Sequence, residues 1–255
     1  MRFRRHIGID YSGAQYPTTR LRGLQIYEAR AGGEPERIKP PNAPANVRNW
    51  TRCALADYVR KTLEGTDPVI IGIDHGFSFP CAYLKCHAIK TWDAFLDDFV
   101  QHWPTDCSNK SVDLLMFGNQ RRGEQRELRL CEKWTSSAKS VFQFTGPGVA
   151  HSTHAGLPWL RRLRRCVPHG RVHFWPFDGF EVPENTSVVA EVYPSLFRRR
   201  YEQPAANEHE RDAWSVAKWL RDMDHTDRLH PYFMPPLTQD EQNQARLEGW
   251  ILGVS

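Results

Sequence analysis

The chain has 255 residues, of which 40% are hydrophobic and 25% are charged, a balance that is typical of a globular protein with a sizeable buried core. Its net charge of +4 is too small to identify a partner. No stretch approaches the ~20 apolar residues that a membrane-spanning helix needs. The basic N-terminus, MRFRRHIGID, lacks the apolar segment of a secretory signal. We therefore expect a cytoplasmic protein without a membrane partner.

The first forty residues predict a small antiparallel sheet. Residues 4–10, 24–29 and 36–39 have the pattern of short strands, and the second turn between them contains Gly32 and Gly33. Because both connections are short, these three strands are expected to form an antiparallel meander.

Helices alternate with buried strands in the rest of the chain. Residues 47–64 place apolar side chains at helical spacing, with Asn46 as a candidate N-cap and Gly65 as a candidate stop. The apolar runs VIIGID (69–74) and SVVAEVYP (187–194) do not alternate with polar residues, which is typical of strands covered on both faces.

The remaining predicted elements complete an α/β layered domain. They are helices at 91–102, 121–137, 207–224 and 238–252, a strand at 171–177 and a glycine-rich loop at 145–156. This order predicts one domain over residues 1–255, with a mixed sheet flanked by helices and a mostly helical insertion at about 81–166.

Five carboxylates stand out by their positions. Asp10 and Asp74 each end an apolar strand, and Glu191 lies within one, where a charge is costly unless it is compensated. Asp212 begins an amphipathic helical segment, and Glu248 lies among apolar residues. Taken singly, Asp10 and Asp74 could cap the loops that follow them. Asp212 could serve the helix dipole, and Glu191 could pair with an arginine.

Taken together, these acids favour a metal site. Ligands of open α/β sheets bind at the carboxyl ends of the strands, and a cluster of unpaired acids either raises some pKa values or requires cations. Carboxylate oxygens suit Mg²⁺ or Mn²⁺. Two such ions can activate a water and stabilise the leaving oxygen of a phosphodiester. The pattern therefore predicts a Mg²⁺- or Mn²⁺-dependent hydrolysis of phosphodiesters.

Basic clusters suggest how a nucleic acid would be held. Arginines concentrated in RRLRR (161–165) and RRR (198–200) can neutralise phosphates, although each cluster could equally be a solvated helix face. The candidate contacts to phosphate or nucleic acid are Ser12, Ser152, Arg161, Arg162, Arg198 and Arg199. His75, which follows Asp74, could act as a general base for water or be a hydrogen-bonded structural histidine.

The six cysteines are scattered along the chain. This spacing favours free thiols, mostly buried, in a reducing compartment. Cys81, Cys86 and His87 could supply three zinc ligands, but a second close pair of Cys or His is missing.

Several segments in a fixed order resemble a known family. They are IGIDYSGA, GIDHGFSFP, FWPFDGF, VVAEVYPSLFRRR, RDAWSVAKWLR and LEGWILGV. Together they resemble the domain-of-unknown-function 429 family, which is grouped with the RNase H-like superfamily. The resemblance implies a five-stranded mixed sheet, with three antiparallel strands followed by parallel strands and helices. It also implies a predicted metal-dependent nuclease.

The resemblance also assigns positions to the acids. Asp10 matches the acid of the first strand and Asp74 that of a later central strand, while Glu191 belongs to a third motif. Asp212 and Glu248 compete for the acid on a closing helix. The metal ligands implied in this way are Asp10, Asp74, Glu191 and Glu248.

Three functions remain open at this point. The first is the metal-dependent nuclease, which predicts that the acids converge. The second is a phosphoryl-transfer or hydrolytic enzyme acting on a nucleotide or small phosphate, which predicts a closed and narrow pocket. The third is a non-catalytic RNase H-like module that binds nucleic acid or a protein, which predicts that an acid is diverted into a salt bridge with arginine.

Overall fold

The computed structural model describes residues 1–30, 32–41, 43–44, 46–135, 137–146, 148–168, 170–202 and 207–255. Within these ranges the strands are β1 (Arg5–Asp10), β2 (Gln25–Arg30), β3 (Glu36–Arg37), β4 (Val69–Asp74), β5 (Val172–Trp175), β6 (Ser187–Val192) and β7 (Ile251–Leu252). They form one sheet in the order β3-β2-β1-β4-β6-β5, and β7 pairs with β6. The pairs β1–β2 and β2–β3 are antiparallel, and all the others are parallel. The predicted mixed α/β sheet is confirmed.

Helices cover both faces of this sheet. They are α1 (Arg52–Leu63), α2 (Cys81–Cys86), α3 (Trp92–His102), α4 (Val112–Met116), α5 (Leu130–Trp134), α6 (Ala150–Cys166), α7 (Glu208–His225), α8 (His230–Phe233) and α9 (Gln239–Glu248), with 3-10 turns at Pro194–Leu196 and Arg198–Arg200. The segment between β4 and β5 carries α2 to α6. Among the described residues, none of the helices has the length and apolar character needed to cross a membrane.

Two glycines let α7 lie directly on the central strands. Gly8 of β1 and Gly72 of β4 are paired in register. A Cβ on Gly8 would lie 2.2 Å from the carbonyl oxygen of Ala213, and one on Gly72 would lie 2.8 Å from Val216 Cγ1. Any larger side chain would push the helix away from the sheet, and this contact determines which residues of α7 reach the ends of the strands.

The opposite face of the same strands is apolar. Ile7, Ile9, Ile71 and Ile73 are at most 4% exposed and pack in one core. That face is covered by α1, α3 and α6, whose buried side chains belong to the same core. Full burial of each isoleucine contributes about 1.5–3 kcal/mol. The non-alternating apolar sequence of β4 therefore correctly predicted a strand covered on both faces.

Several predicted boundaries were wrong. The first helix begins after Thr51, whose hydroxyl accepts a hydrogen bond from the backbone of Ala54, and not after Asn46. Of the described residues in the predicted helix at 121–137, only Leu130–Trp134 are helical. The helix predicted at 238–252 ends at Gly249, which has a φ of 82°, and the residues after it form β7.

The predicted glycine-rich loop at 145–156 was also wrong over its second half, because α6 begins at Ala150. Gly156 lies inside this helix, where a Cβ would come within 2.4 Å of His75 Nε2. This glycine therefore serves close packing and not loop flexibility. Pro147, in the first half of the predicted loop, lies outside the described residues.

Candidate functional site

Two aspartates end adjacent parallel strands and share one side of the sheet. Asp10 and Asp74 are paired in register at the carboxyl ends of β1 and β4, where neighbouring strands lie about 4.8 Å apart. Gly8 and Gly72, which contact α7, lie two residues before Asp10 and Asp74. Side chains two residues apart on a strand point to the same face. Both carboxylates are therefore on the face covered by α7.

The first turns of α7 bring a histidine to Asp10. Ala213 contacts Gly8 of β1, and His209 lies one turn closer to the N-terminus on the same helix face. Because α7 runs antiparallel to β1, this turn reaches the end of the strand. His209 Nδ1 lies 2.8 Å from Asp10 Oδ2, and this is the hydrogen bond that Asp10 makes through its side chain within the described residues.

The same geometry brings Asp212 toward Asp74. Val216 contacts Gly72 of β4, and Asp212 lies one turn closer to the N-terminus on that helix face. Arg198 Nη1 lies 3.2 Å from Asp212 Oδ2. The structure thus places Asp212, and not Glu248, beside the two strand-terminal aspartates.

The proximity of these acids changes their pKa values. The pKa of Asp10 is raised to about 6: burial is the largest cause, the hydrogen bond and charge of His209 lower it, and the charges of Asp212 and Glu208 raise it. The same hydrogen bond raises the pKa of the His209 imidazole. At neutral pH, Asp10 therefore carries its charge at a cost that His209 partly offsets.

Asp74 is the least compensated acid of the group. Burial raises its pKa well above the usual range, followed by the charges of Asp10 and Asp212, whereas Arg198 lowers it. Within the described part of the chain, its carboxylate has no hydrogen-bond partner. Burial likewise raises the pKa of Asp212, and its contact with Arg198 opposes this. A cation would relieve the repulsion among these three acids.

Glu191 belongs to the opposite face of the sheet. It pairs in register with Ile73, one residue before Asp74, so its side chain points away from α7. Arg129 binds it through two hydrogen bonds of 2.8 and 2.5 Å, and the backbone of Phe77 donates a third of 2.9 Å. The side chains of Arg129 and Glu191 are 1% and 5% exposed. Glu191 is thus occupied by a buried arginine, although it lines one small cavity with Asp74 and its charge helps to raise the pKa of Asp74.

Glu248 also has a structural position. Its carboxylate accepts hydrogen bonds from the backbone N–H groups of Cys81 and Leu130, which open α2 and α5. Since a helix leaves its first N–H groups without partners, Glu248 satisfies one at each of two helices. It connects the segment between β4 and β5 to α9, away from Asp10.

His75 is enclosed by the apolar core. It is 2% exposed, its Nδ1 lies 2.9 Å from the carbonyl of Gly76, and Tyr11 packs edge-on against its ring. Burial lowers its pKa to about 4, so it is neutral at physiological pH. Of the two predicted roles, its surroundings resemble those of a structural histidine.

The two candidate serines lie near the carboxyl end of β1. Ser12 accepts a hydrogen bond from the backbone of Ala14, and Ser152 donates one to the carbonyl of Val149. Their backbones are close, because a Cβ on Gly13 would lie 2.6 Å from the nitrogen of Ser152. Both hydroxyls are thus used within the fold, beside the aspartates.

The arginines of α6 point elsewhere. Arg161 and Arg165 both contact Asp97 of α3, and Arg162 lies 4.0 Å from Asp57 of α1. Thr153 of α6 contacts Gly76 just beyond β4; at 1.5 Å per residue, Arg161 lies about 12 Å further along the helix. This cluster therefore faces acids of neighbouring helices.

The RRR segment lies on the other side of the site. Arg198 contacts Asp212, and Arg199, in the same 3-10 turn, is exposed. Of the predicted basic clusters, this one adjoins the three aspartates.

The described residues contain no group of three or more His, Cys, Asp and Glu side chains already arranged to hold a metal ion. Cys81, Cys86 and His87, the less favoured zinc alternative, do not form such a group either. The cysteines are free, but Cys86, Cys107 and Cys166 are exposed, so the expectation of mostly buried thiols was wrong.

Two important residues were missed by the sequence analysis. His209 precedes Asp212 by three residues, and that helical spacing could have associated it with the acid. The pairing of Glu191 with an arginine was one of the predicted alternatives, but no signal identified Arg129, because it lies 62 residues from Glu191. Comparison of the chain with protein-family models, with curated proteins and with solved structures gave no match.

Proposed function

We propose that this protein is a metal-dependent nuclease with an RNase H-like sheet, whose site consists of Asp10, Asp74 and Asp212. The observation that carries the proposal is the in-register placement of Asp10 and Asp74 on the face that also carries Asp212. The order of antiparallel and then parallel strands agrees with the fold that the sequence resemblance implies.

The donor set suits a hard divalent cation. Three carboxylates provide oxygen ligands of the kind that Mg²⁺ and Mn²⁺ prefer, and Asp74 has no competing partner among the described residues. Asp10 and Asp212 each contact a basic side chain, which neutralises part of the charge. When bound, such an ion would supply activation of water and neutralisation of the phosphate.

The residues of the chain would then have different roles. Asp10, Asp74 and Asp212 would hold the cation. Arg198, whose side chain is 37% exposed, would attract the phosphate backbone of a nucleic acid. Glu191, Glu248 and His75 would support the architecture without touching the substrate.

A cleavage assay tests this proposal. Single- and double-stranded DNA and RNA, a four-way junction, a nucleotide and an aryl phosphodiester would be incubated with Mg²⁺ or Mn²⁺, or with a chelator. We expect metal-dependent cleavage of a nucleic acid. Because a catalytic metal contributes several kcal/mol, Asp10→Asn and Asp74→Asn should lower the rate about 10²–10³-fold.

A matched control is available at the opposite end of β4. Asp67 is exposed and precedes β4 at its other end, so Asp67→Asn should cleave like the wild type. Unchanged activity in both Asp10→Asn and Asp74→Asn, or full activity with the chelator, would overturn the proposal.

A second candidate is a non-catalytic module that binds nucleic acid. The contact between Arg198 and Asp212 favours it, because an acid held by arginine is less available to a metal. Binding of nucleic acid without cleavage of any substrate in the panel would support this candidate over the nuclease.

A further inference from the structure

Two histidine–aspartate pairs connect β1 to α7, and they differ in one respect. In the pair near the start of β1, His6 Nε2 lies 2.8 Å from Asp224 Oδ2. Asp224 also accepts hydrogen bonds of 2.8 and 3.0 Å from the backbone of Arg2 and Phe3. Both members are buried. The carboxylate of this pair is fully used in fixing the chain.

The pair at the other end of β1 leaves part of its carboxylate unused. His209 Nδ1 engages Asp10 Oδ2, whereas Asp10 Oδ1 has no hydrogen-bond partner among the described residues. Asp10 is buried, because only 6% of its surface is exposed. A buried carboxylate with one free oxygen next to a second, unpartnered carboxylate, Asp74, differs from the closed pair at Asp224.

Among the described residues, Asp10 is the one hydrogen-bond partner of the His209 imidazole. A Cβ on Gly23 would lie 3.3 Å from His209 Cε1 and 3.4 Å from Nε2, so glycine at this position leaves the outer edge of the ring uncovered. The side chain of His209 is 41% exposed. The hydrogen bond to Asp10 is thus what fixes the ring, and the ring in turn fixes the orientation of the carboxylate.

We propose that His209 is a positioning residue for Asp10: it holds Oδ2 through Nδ1 and leaves Oδ1 to bind the divalent cation. This inference rests on the proposed function. Partners that orient a metal-binding side chain commonly change metal affinity by about 10–100-fold when they are removed. The pair at Asp224, which has no free oxygen, has no such role.

Mn²⁺ titration followed by calorimetry and by electron paramagnetic resonance tests the inference without using activity. The full-length wild type, His209→Ala, His209→Asn and His225→Ala would be compared at one pH. His209→Ala should bind Mn²⁺ about tenfold more weakly. His209→Asn should stay close to the wild type, because the asparagine amide nitrogen occupies nearly the position of Nδ1 and can donate to Asp10.

The control lies on the same helix. His225 is the last residue of α7 and is exposed, so His225→Ala should bind Mn²⁺ like the wild type. Wild-type affinity in His209→Ala, or an equal loss in His209→Asn and His209→Ala, would overturn the inference. Thermal unfolding of each variant without metal would verify that it is folded.

Asp10→Asn in the same titration separates the two proposals. If Asp10→Asn retains the full affinity for Mn²⁺, the proposed metal site itself fails. If Asp10→Asn loses binding and His209→Ala does not, the metal site stands and only the positioning role of His209 is wrong.

Discussion

The two faces of the sheet carry two groups of carboxylates with different partners. The group under α7 is Asp10, Asp74 and Asp212, and the group on the other face is Glu132, Glu191 and Glu248. In the second group, Arg129 binds Glu191 and Glu132, and backbone N–H groups satisfy Glu248. In the first, Asp74 has no hydrogen-bond partner among the described residues; burial raises the pKa values of its three aspartates, as it also does for Glu132 in the second group.

This difference separates structural acids from candidate functional ones. A buried charge that has its full set of hydrogen bonds contributes to the architecture, whereas an uncompensated one is retained at a cost in stability. Glu191 pairs with Ile73 and not with Asp74. This offset of one residue places its side chain on the other face of the sheet, with the structural group. The predictions below change one group while leaving the other intact.

The largest effect is expected when Arg129 is removed. Arg129→Met leaves Glu191 and Glu132 buried without their cation, and breaking a buried pair in this way costs about 3–5 kcal/mol. Chemical denaturation would measure the loss in the free energy of unfolding. A loss below about 1 kcal/mol, within the range of surface ion pairs, would show that the second group is not structural.

The pH dependence of stability should come partly from Asp10. Its pKa is about 6 in the folded protein and about 3.9 in an unfolded chain. Between these values the folded state binds more protons, so the contribution of Asp10 to stability falls as the pH rises through about 6. His209, whose pKa is also raised, has the same sign, because its contribution is present below its unfolded pKa and is lost above its folded pKa.

Asp10→Asn should therefore flatten this dependence. Since one pKa unit corresponds to ~1.4 kcal/mol, we expect the variant to gain about 2–3 kcal/mol relative to the wild type between pH 4 and pH 8. Urea denaturation without divalent metal at several pH values would measure the difference. A parallel pH profile for the two proteins would exclude an elevated pKa for Asp10.

The smallest effect is expected from the arginines of α6. Arg161→Ala removes a partly exposed pair with Asp97, which is worth less than about 1 kcal/mol. It should leave the affinity for nucleic acid unchanged, whereas Arg198→Ala should weaken it. Filter binding at one salt concentration would compare the two variants. A greater loss of affinity in Arg161→Ala than in Arg198→Ala would contradict the proposed position of the nucleic acid beside Arg198.

Much of this arrangement could be predicted from local patterns. The apolar run that ends at Asp74 indicated a strand buried on both faces, the run that ends at Asp10 indicated a strand, and the position of both acids at strand ends suggested a shared edge of the sheet. The face of each side chain was harder to predict, because the register of β6 determines it and no local pattern reports that register. The pairing of Glu191 with Arg129, and the capping role of Glu248, depend on contacts distant in sequence. A search for helical neighbours of Asp212 would have found His209.

The most direct test of the account is the response of Asp74→Asn to Mn²⁺. Without metal, at a pH above 7, the variant should be more stable than the wild type by about 1 kcal/mol or more, because it removes a poorly compensated charge. Mn²⁺ at one hundred times its Kd should then stabilise the wild type by about 2.7 kcal/mol and leave Asp74→Asn almost unchanged. A destabilised variant, or equal stabilisation of both proteins by Mn²⁺, would contradict the claim that Asp74 is held in place for a cation.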